Sequence, residues 1–262
     1  MTSQPRYVID TRQGTCSTHG RFTNALVEQF GAEPVWYGCP GCEFDNRHSA
    51  DISIRAGGVL VHTERLLNAR LLDSCIPARF QQSTLENWVT GNDDAKVKAW
   101  NVATGFVEAF AEHYQAGRCM MLLGQVGTGK THLATAMLQQ VIRYFGAQGV
   151  HGLYATAGSI IRSIKETFGS QIKTESQVYA DLIAPHLLVI DEMGLQNGTD
   201  FERQVLFEVI NGRYEQLKPT IIVSNLNITD LKVSMGDRAV DRLRDRGGLV
   251  CVFRWPSARG SA

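Results

Sequence analysis

Eight consecutive residues, Gly124-Gln125-Val126-Gly127-Thr128-Gly129-Lys130-Thr131, constrain this chain more than any others. They fit the pattern G-x-x-x-x-G-K-[ST] at every fixed position. The preceding Cys119-Met120-Met121-Leu122-Leu123 reads as a short buried strand. From His132 to Phe145, apolar Leu133, Ala136, Met137 and Val141 recur at helical spacing. In that strand–loop–helix setting the glycines let the backbone curl, so that successive N–H groups face phosphate oxygens. The helix N-terminus adds partial positive charge at the same point. The pattern therefore predicts an ATP site made by Gly124 to Thr131 with His132 beside it. Lys130 reaches the outer phosphates and the Thr131 hydroxyl holds Mg²⁺.

Four further apolar segments extend this reading: Gly149 to Tyr154, Leu187 to Glu192, Thr220 to Asn225 and Leu249 to Phe253. Leu187-Leu188-Val189-Ile190 is a continuous apolar run, as expected of a parallel strand covered on both faces. It ends in Asp191 and Glu192, at the strand edge where ligands bind in open α/β folds. Asp191 suits Mg²⁺ and its water shell, and Glu192 suits polarisation of the attacking water. Five strands interleaved with helices predict an α/β fold with a mainly parallel, doubly wound sheet.

The N-terminal region has another logic. Cys16-Ser17-Thr18-His19 and Cys39-Pro40-Gly41-Cys42 place Cys16, His19, Cys39 and Cys42 in two ligand pairs on tight turns. Three thiolates and one imidazole make the ligand set of a closed structural zinc site. A segment this small has no core of its own, so Zn²⁺ supplies much of its folding energy. Arg21 to Phe30 and Val35 to Tyr37 read as intervening strand or helix. Cys75, Cys119 and Cys251 read as ordinary buried thiols. After Gly57-Gly58, which gives flexibility, Leu60, Leu66, Leu67, Leu71 and Leu72 alternate with polar residues and predict an amphipathic helix over Thr63 to Cys75, ended by Pro77. The expected division is a zinc- and partner-binding region over 1–75 and an ATPase domain over 76–262. A long helix over Asp93 to Gln115 opens the latter and packs Val97, Trp100, Val102, Phe106, Val107 and Phe110.

Zero formal net charge gives no global nucleic-acid footprint. The absence of a long apolar run and of a signal-peptide core predicts a cytoplasmic chain without a membrane span.

In order, GQVGTGKTHLA, LLVIDE, IIVSN and DRAVDRLRD resemble the AAA+ ATPases, and within them the DnaC-type helicase loaders, with DnaA initiators and IstB transposition helpers as close relatives. The likeness runs from about Phe80 to Trp255, and the paired Cys/His pattern is also similar to that of many DnaC-like chains. It implies an ATPase that loads a DnaB-type replicative helicase onto single-stranded DNA and self-associates through its ATP sites; the alternative is an IstB-like helper acting on DNA with a transposase. It further implies that Asn225 is the sensor-1 residue. Arg242, or else Arg238, is the sensor-2 arginine. Arg213 is an arginine finger for a neighbouring subunit, with Lys218 a poorer clamp. Since the sequence stops at Ala262, soon after the fifth strand, it implies a missing or minimal C-terminal lid. After the second strand, Ile160, Ile161, Ile164 and Phe168 line one helical side; Arg162 and Lys165 lie away from it. In loaders this position resembles a helix lining a single-strand channel, which implies phosphate contacts from Arg162 and Lys165 and base stacking by Phe168.

Overall fold

The computed structural model describes residues 8–29, 32–40, 42, 52–169, 173–194 and 198–258. These residues fall into two compact units, 1–66 and 67–262. In the first, β1 (Val8–Cys16), β2 (Gly20–Gln29) and β3 (Ala32–Trp36) form an antiparallel sheet in sequence order. The Cys16↔Gly20 pairing puts Ser17, Thr18 and His19 in the β1–β2 turn, which Gly20 closes at φ 74°. The stretch between the ligand pairs is therefore strand. Buried Asn24 accepts the Gly38 N–H at 2.9 Å and so fixes the chain just ahead of Cys39. Phe30 and Gly41 lie outside the described residues.

Helix α1 (Ile52–Asp73) is longer than the pattern predicts and runs through Gly57-Gly58. The side chain of Leu60 lies outside the described residues. The boundary between the two compact units falls inside α1. The reason is visible in its last turns. Leu67 packs against Gly146, and the Arg70 guanidinium donates to the carbonyls of Gly149 and Val150 at 2.9 and 3.0 Å. Cys75 is exposed rather than buried, because it takes the left-handed turn (φ 57°) that ends the helix.

Asp93 caps α2 (Asp94–Glu108) by accepting from Ala95 and Lys96 N–H, and a bend at Ala109 separates it from α3 (Phe110–Ala116). The expected single helix is thus two. Its inner face is Ala99, Ala103, Phe106, Val107 and Phe110; Val97 is exposed. Strand β4 (Met120–Gly124) leads through the glycine loop into α4 (Lys130–Phe145). Then come β5 (Gly152–Thr156), α5 (Ala157–Glu166), α6 (Glu175–Ile183), β6 (Leu187–Met193), α7 (Asp200–Glu215), β7 (Thr220–Ser224), α8 (Ile228–Met235), α9 (Asp237–Arg244) and β8 (Leu249–Phe253). Capping boxes start three of these helices: Thr156 with Ser159, Thr174 with Gln177 and Thr199 with Glu202.

The sheet is parallel throughout, in the order β5-β6-β7-β4-β8. Side chains alternate across it. Met121, Leu123, Leu188, Ile190 and Ile222 join one core with α5 to α9. Helix α4 packs on β4 to β7 and against α2. Putting β4 between β7 and β8 brings the glycine loop beside the ends of β6 and β7, where Asp191 and Asn225 stand. No described helix is long and apolar enough to cross a membrane.

Arg213 departs from its implied role. It is fully buried. Its guanidinium donates to the Thr220 hydroxyl (2.9 Å) and to the carbonyls of Leu182, Ile183, Pro185 and Pro219 (2.6–3.2 Å). Burial pulls it down to about 9, still charged at neutral pH. With its donors spent inside its own chain, it cannot reach a neighbour's nucleotide; it pins α7 and the end of α6 to the start of β7. Arg213→Ala strands buried carbonyls and opens a cavity, so a loss of about 3–5 kcal/mol in urea unfolding is expected.

At the same end of the sheet, His186 Nδ1 lies 3.1 Å from His151 Nδ1 and accepts the His151 backbone N–H at 3.3 Å. Burial holds both imidazoles down, and Lys218, Arg70 and Arg213 add to the effect; His186 falls to about 4. An unfolded histidine titrates near ~6.5. Between those values the unfolded chain binds a proton that the folded chain refuses. The stability this pair contributes is therefore full above about pH 6.5 and declines towards pH 4. Denaturation midpoints at pH 7.5 and 5, the second lower, check this, and His186→Gln reduces the difference.

Candidate nucleotide site and metal cluster

The loop between β4 and α4 is held from behind. The Trp255 indole N–H donates to Thr128 O and the Ala258 N–H to Gly127 O, both at 2.9 Å. A trans peptide points its C=O and N–H in opposite directions. Tying these carbonyls to the C-terminal segment leaves the N–H groups of Thr128 and Gly129 facing away from it. Gly129 has φ 94°, and a Cβ there would lie 2.6 Å from the Trp88 ring. At Gly124, a Cβ would lie 2.2 Å from Phe253 O. The motif's glycines thus meet β8 and Trp88 as well as any phosphate.

Lys130 is buried, and its ammonium donates to Gly124 O (2.8 Å), Gln125 O (2.6 Å) and Thr128 Oγ1 (3.4 Å). The Thr131 hydroxyl donates to Asp191 Oδ2 at 2.8 Å. The Tyr154 hydroxyl donates to the same oxygen at 2.8 Å, and burial and the Asp191 charge both push that phenol up. Asp191 Oδ1 accepts the Glu192 N–H at 2.7 Å. His132 lines the cavity too, although its Nε2 is tied to Thr84 O at 3.2 Å.

A bulge separates the two acids. Ile190 pairs with Ile222 and Met193 with Ser224, so β6 carries one residue more than β7 here. Glu192 takes φ 57°. Asp191 consequently turns inward and is buried, while Glu192 is exposed at the cavity. The Ser224 hydroxyl donates to Met193 O at 2.6 Å and accepts the Leu226 N–H at 3.1 Å, which ties the turn carrying Asn225 to the end of β6. One cavity of about 740 Å³ is therefore lined by Lys130, Thr131, Asp191, Glu192 and Asn225 together with Val126, Gly127, Gly129 and Tyr154.

Arg242 does not line this cavity. Its guanidinium lies 4.6 Å from the Phe207 ring and 5.5 Å from the Tyr214 ring, both on α7. The cause is the burial of Ala239, Val240 and Leu243, which turns Arg242 onto the flank of α7. Exposed Arg238 does not line the cavity either.

On α5, Ile160, Ile161 and Ile164 are buried, while Arg162 and Lys165 are exposed. Phe168 lies beyond the helix and is 62% exposed, so it does not share the isoleucine face. Its ring is 5.8 Å from Phe201, and the Lys165 ammonium stands 5.7 Å from the same Phe201 ring. Phe201, Tyr154, Trp88 and Trp255 belong to these sites, yet no motif contains them.

In the first unit, the ligand atoms of Cys16, His19, Cys39 and Cys42 lie within 4.8 Å of one another. His19 Nδ1 is 3.6, 3.7 and 3.5 Å from the sulfurs of Cys16, Cys39 and Cys42. Tetrahedral Zn–S and Zn–N bonds require an N···S edge of about 3.6 Å. Backbone N–H groups of Thr18 and His19 pull the Cys16 thiol down to about 6; Cys42, beside it, is pushed up to about 11.

A family model described as IstB-like ATP binding protein matches residues 87–247, more than half of the chain. The chain is 30% identical to the replicative helicase loader DnaC of Escherichia coli K12 over 166 residues, 63% of this chain and 65% of that protein. A replicative helicase loader DnaC from Buchnera aphidicola (subsp. Acyrthosiphon pisum) is 30% identical over 167 residues, with the same coverage. The match thus spans just under two thirds of these relatives' length. Among solved structures, the DnaC helicase loader superposes with a TM-score of 0.59 at 23% identity, over 68% of this chain and 99% of that one. AMPPCP-bound DnaA from Aquifex aeolicus gives 0.55 at 22%, over 71% and 53%. These likenesses carry the AAA+ fold. With the phosphate loop, the parallel sheet and the matched stretch agreeing, this chain belongs to the family of IstB-like ATP-binding proteins.

Proposed function

We propose that this chain is an ATPase that loads a replicative, DnaB-type helicase onto single-stranded DNA and self-associates through its ATP sites. One observation carries the reading. A single cavity gathers Lys130, Thr131, Asp191, Glu192 and Asn225, inside a chain that resembles helicase loaders. Lys130 neutralises the outer phosphates, and the loop amides from Gly124 to Thr131 orient them. The Thr131 hydroxyl and the Asp191 carboxylate are hard oxygen donors suited to Mg²⁺. Bound with the nucleotide, Mg²⁺ neutralises charge on the phosphate oxygens. Glu192 polarises the attacking water, and Asn225 senses the terminal phosphate. Arg162 and Lys165 neutralise DNA phosphates, while Phe168 and Phe201 offer rings for stacking. Repetition of so few cations around an assembly is what makes their binding effective.

The Cys/His cluster holds structural Zn²⁺ in this reading, with all four positions filled by protein. The resemblance to IstB transposition helpers leaves a second reading, a helper ATPase acting on DNA with a transposase. ATP-dependent co-purification with a hexameric replicative helicase, and preference for single strands over duplex, support the loader; a preference for duplex and a transposase supports the helper.

Lys130→Ala is expected to abolish ATP binding by calorimetry. Glu192→Gly keeps binding and loses turnover. It also raises stability by about 1 kcal/mol, because glycine accepts the left-handed backbone without strain. Native mass spectrometry should find one zinc per chain. Cys39→Ser with Cys42→Ser loses that metal and, by amide exchange, the protection of residues 8–29.

A further inference from the structure

We infer that Tyr154 is a positioning residue for the Asp191 carboxylate and thereby sets how strongly the nucleotide site takes Mg²⁺. The inference rests on the ATP-binding reading and adds a residue that none of the phosphate-loop or acidic-strand motifs contains. An ionised carboxylate offers about four lone-pair sites. Here three are filled: Thr131 Oγ1 and Tyr154 OH occupy Oδ2, each at 2.8 Å, and the Glu192 N–H occupies Oδ1 at 2.7 Å. Among the described residues, one site on Oδ1 remains for a metal-bound water. Asp191 is only 5% exposed, so bulk solvent is poorly placed to replace a lost donor.

The three donors differ in what holds them. Thr131 belongs to the loop that wraps the phosphates, and Glu192 sits on a strained bulge facing them. Tyr154 comes from the neighbouring strand, in register with β6 (Tyr154↔Val189, Thr156↔Asp191). It is 7% exposed, and its own N–H is bound to Ser74 O at 2.8 Å. The sheet therefore holds its phenol in place whether or not a nucleotide is present. It is the fixed reference that sets the plane of the carboxylate and aims the remaining lone pair. Donors behind a metal-holding group typically contribute 10–100-fold in metal affinity or activity.

Tyr154→Phe removes the donor and keeps the ring. Calorimetry of ATP binding in EDTA, and then across a Mg²⁺ series, separates aiming from packing. The expected result is metal-free affinity within about twofold of wild type, with Mg²⁺-dependent tightening weakened by about 10-fold or more. The Mg²⁺ concentration for half-maximal turnover rises in parallel. A folded Tyr154→Phe protein with wild-type Mg²⁺ dependence overturns the inference and leaves the ATPase reading intact. Wild-type protein that binds no ATP overturns the reading and the inference together. Should Tyr154→Phe unfold, Tyr154→Met, which also lacks the donor, is measured in the same way.

Discussion

The site depends on carbonyl oxygens that never meet a ligand. Anion binding by backbone amides requires several N–H groups to point the same way while their own carbonyls find partners elsewhere. In this chain those partners come from the far end of the sequence: Trp255 Nε1 for Thr128 O and the Ala258 N–H for Gly127 O. Both follow β8, which pairs with β4 in register from Met120↔Leu249 to Gly124↔Phe253. The loop's shape therefore depends on the docking of the last strand. Trp88 closes the arrangement, packing on Gly129 and, edge-on, against Phe253 and Trp255.

A second constraint joins the two acids to Asn225. The extra residue in β6 separates the neighbouring carboxylates into different environments, one buried and one exposed. Its cost is one non-glycine residue at φ 57°, on the order of 1 kcal/mol. Offsetting it are three donors on Asp191 and the Ser224 hydroxyl, which bridges the ends of β6 and β7. Because Ser224 holds both the bulge and the turn of Asn225, a displacement at the phosphate end of one strand is felt at the other. That gives the proposed sensing role of Asn225 a physical route through bonds two residues long.

What was legible in the sequence was local. The glycine loop, the apolar run into Asp191-Glu192 and the paired Cys/His turns each declare themselves within about ten residues, because loop curvature, strand burial and ligand spacing are short-range demands. What failed was long-range. Arg213 in Asn211-Gly212-Arg213-Tyr214 looks the same whether it points outward or inward. Only the packing of α7 against both the end of α6 and the start of β7 supplies the four carbonyls and one hydroxyl that absorb it. Tyr154 and Phe201 were missed for the same reason, since their partners stand 37 and 33 positions away.

Arg213 and Arg242 also show how burial decides the use of a cation. An arginine serving a ligand must stay reachable, and its charge must remain uncommitted. Arg213 is fully buried, and its guanidinium is held by carbonyls from the end of α6 and the start of β7, so it is part of the core. Arg242 lies on two aromatic faces of α7, with one guanidinium nitrogen buried and without a hydrogen bond among the described residues. A charge held by ring faces is bound more weakly than one held by carbonyls. Of the two, Arg242 is therefore the one that a better acceptor can still draw away, whereas moving Arg213 would require unmaking the junction of α6, α7 and β7.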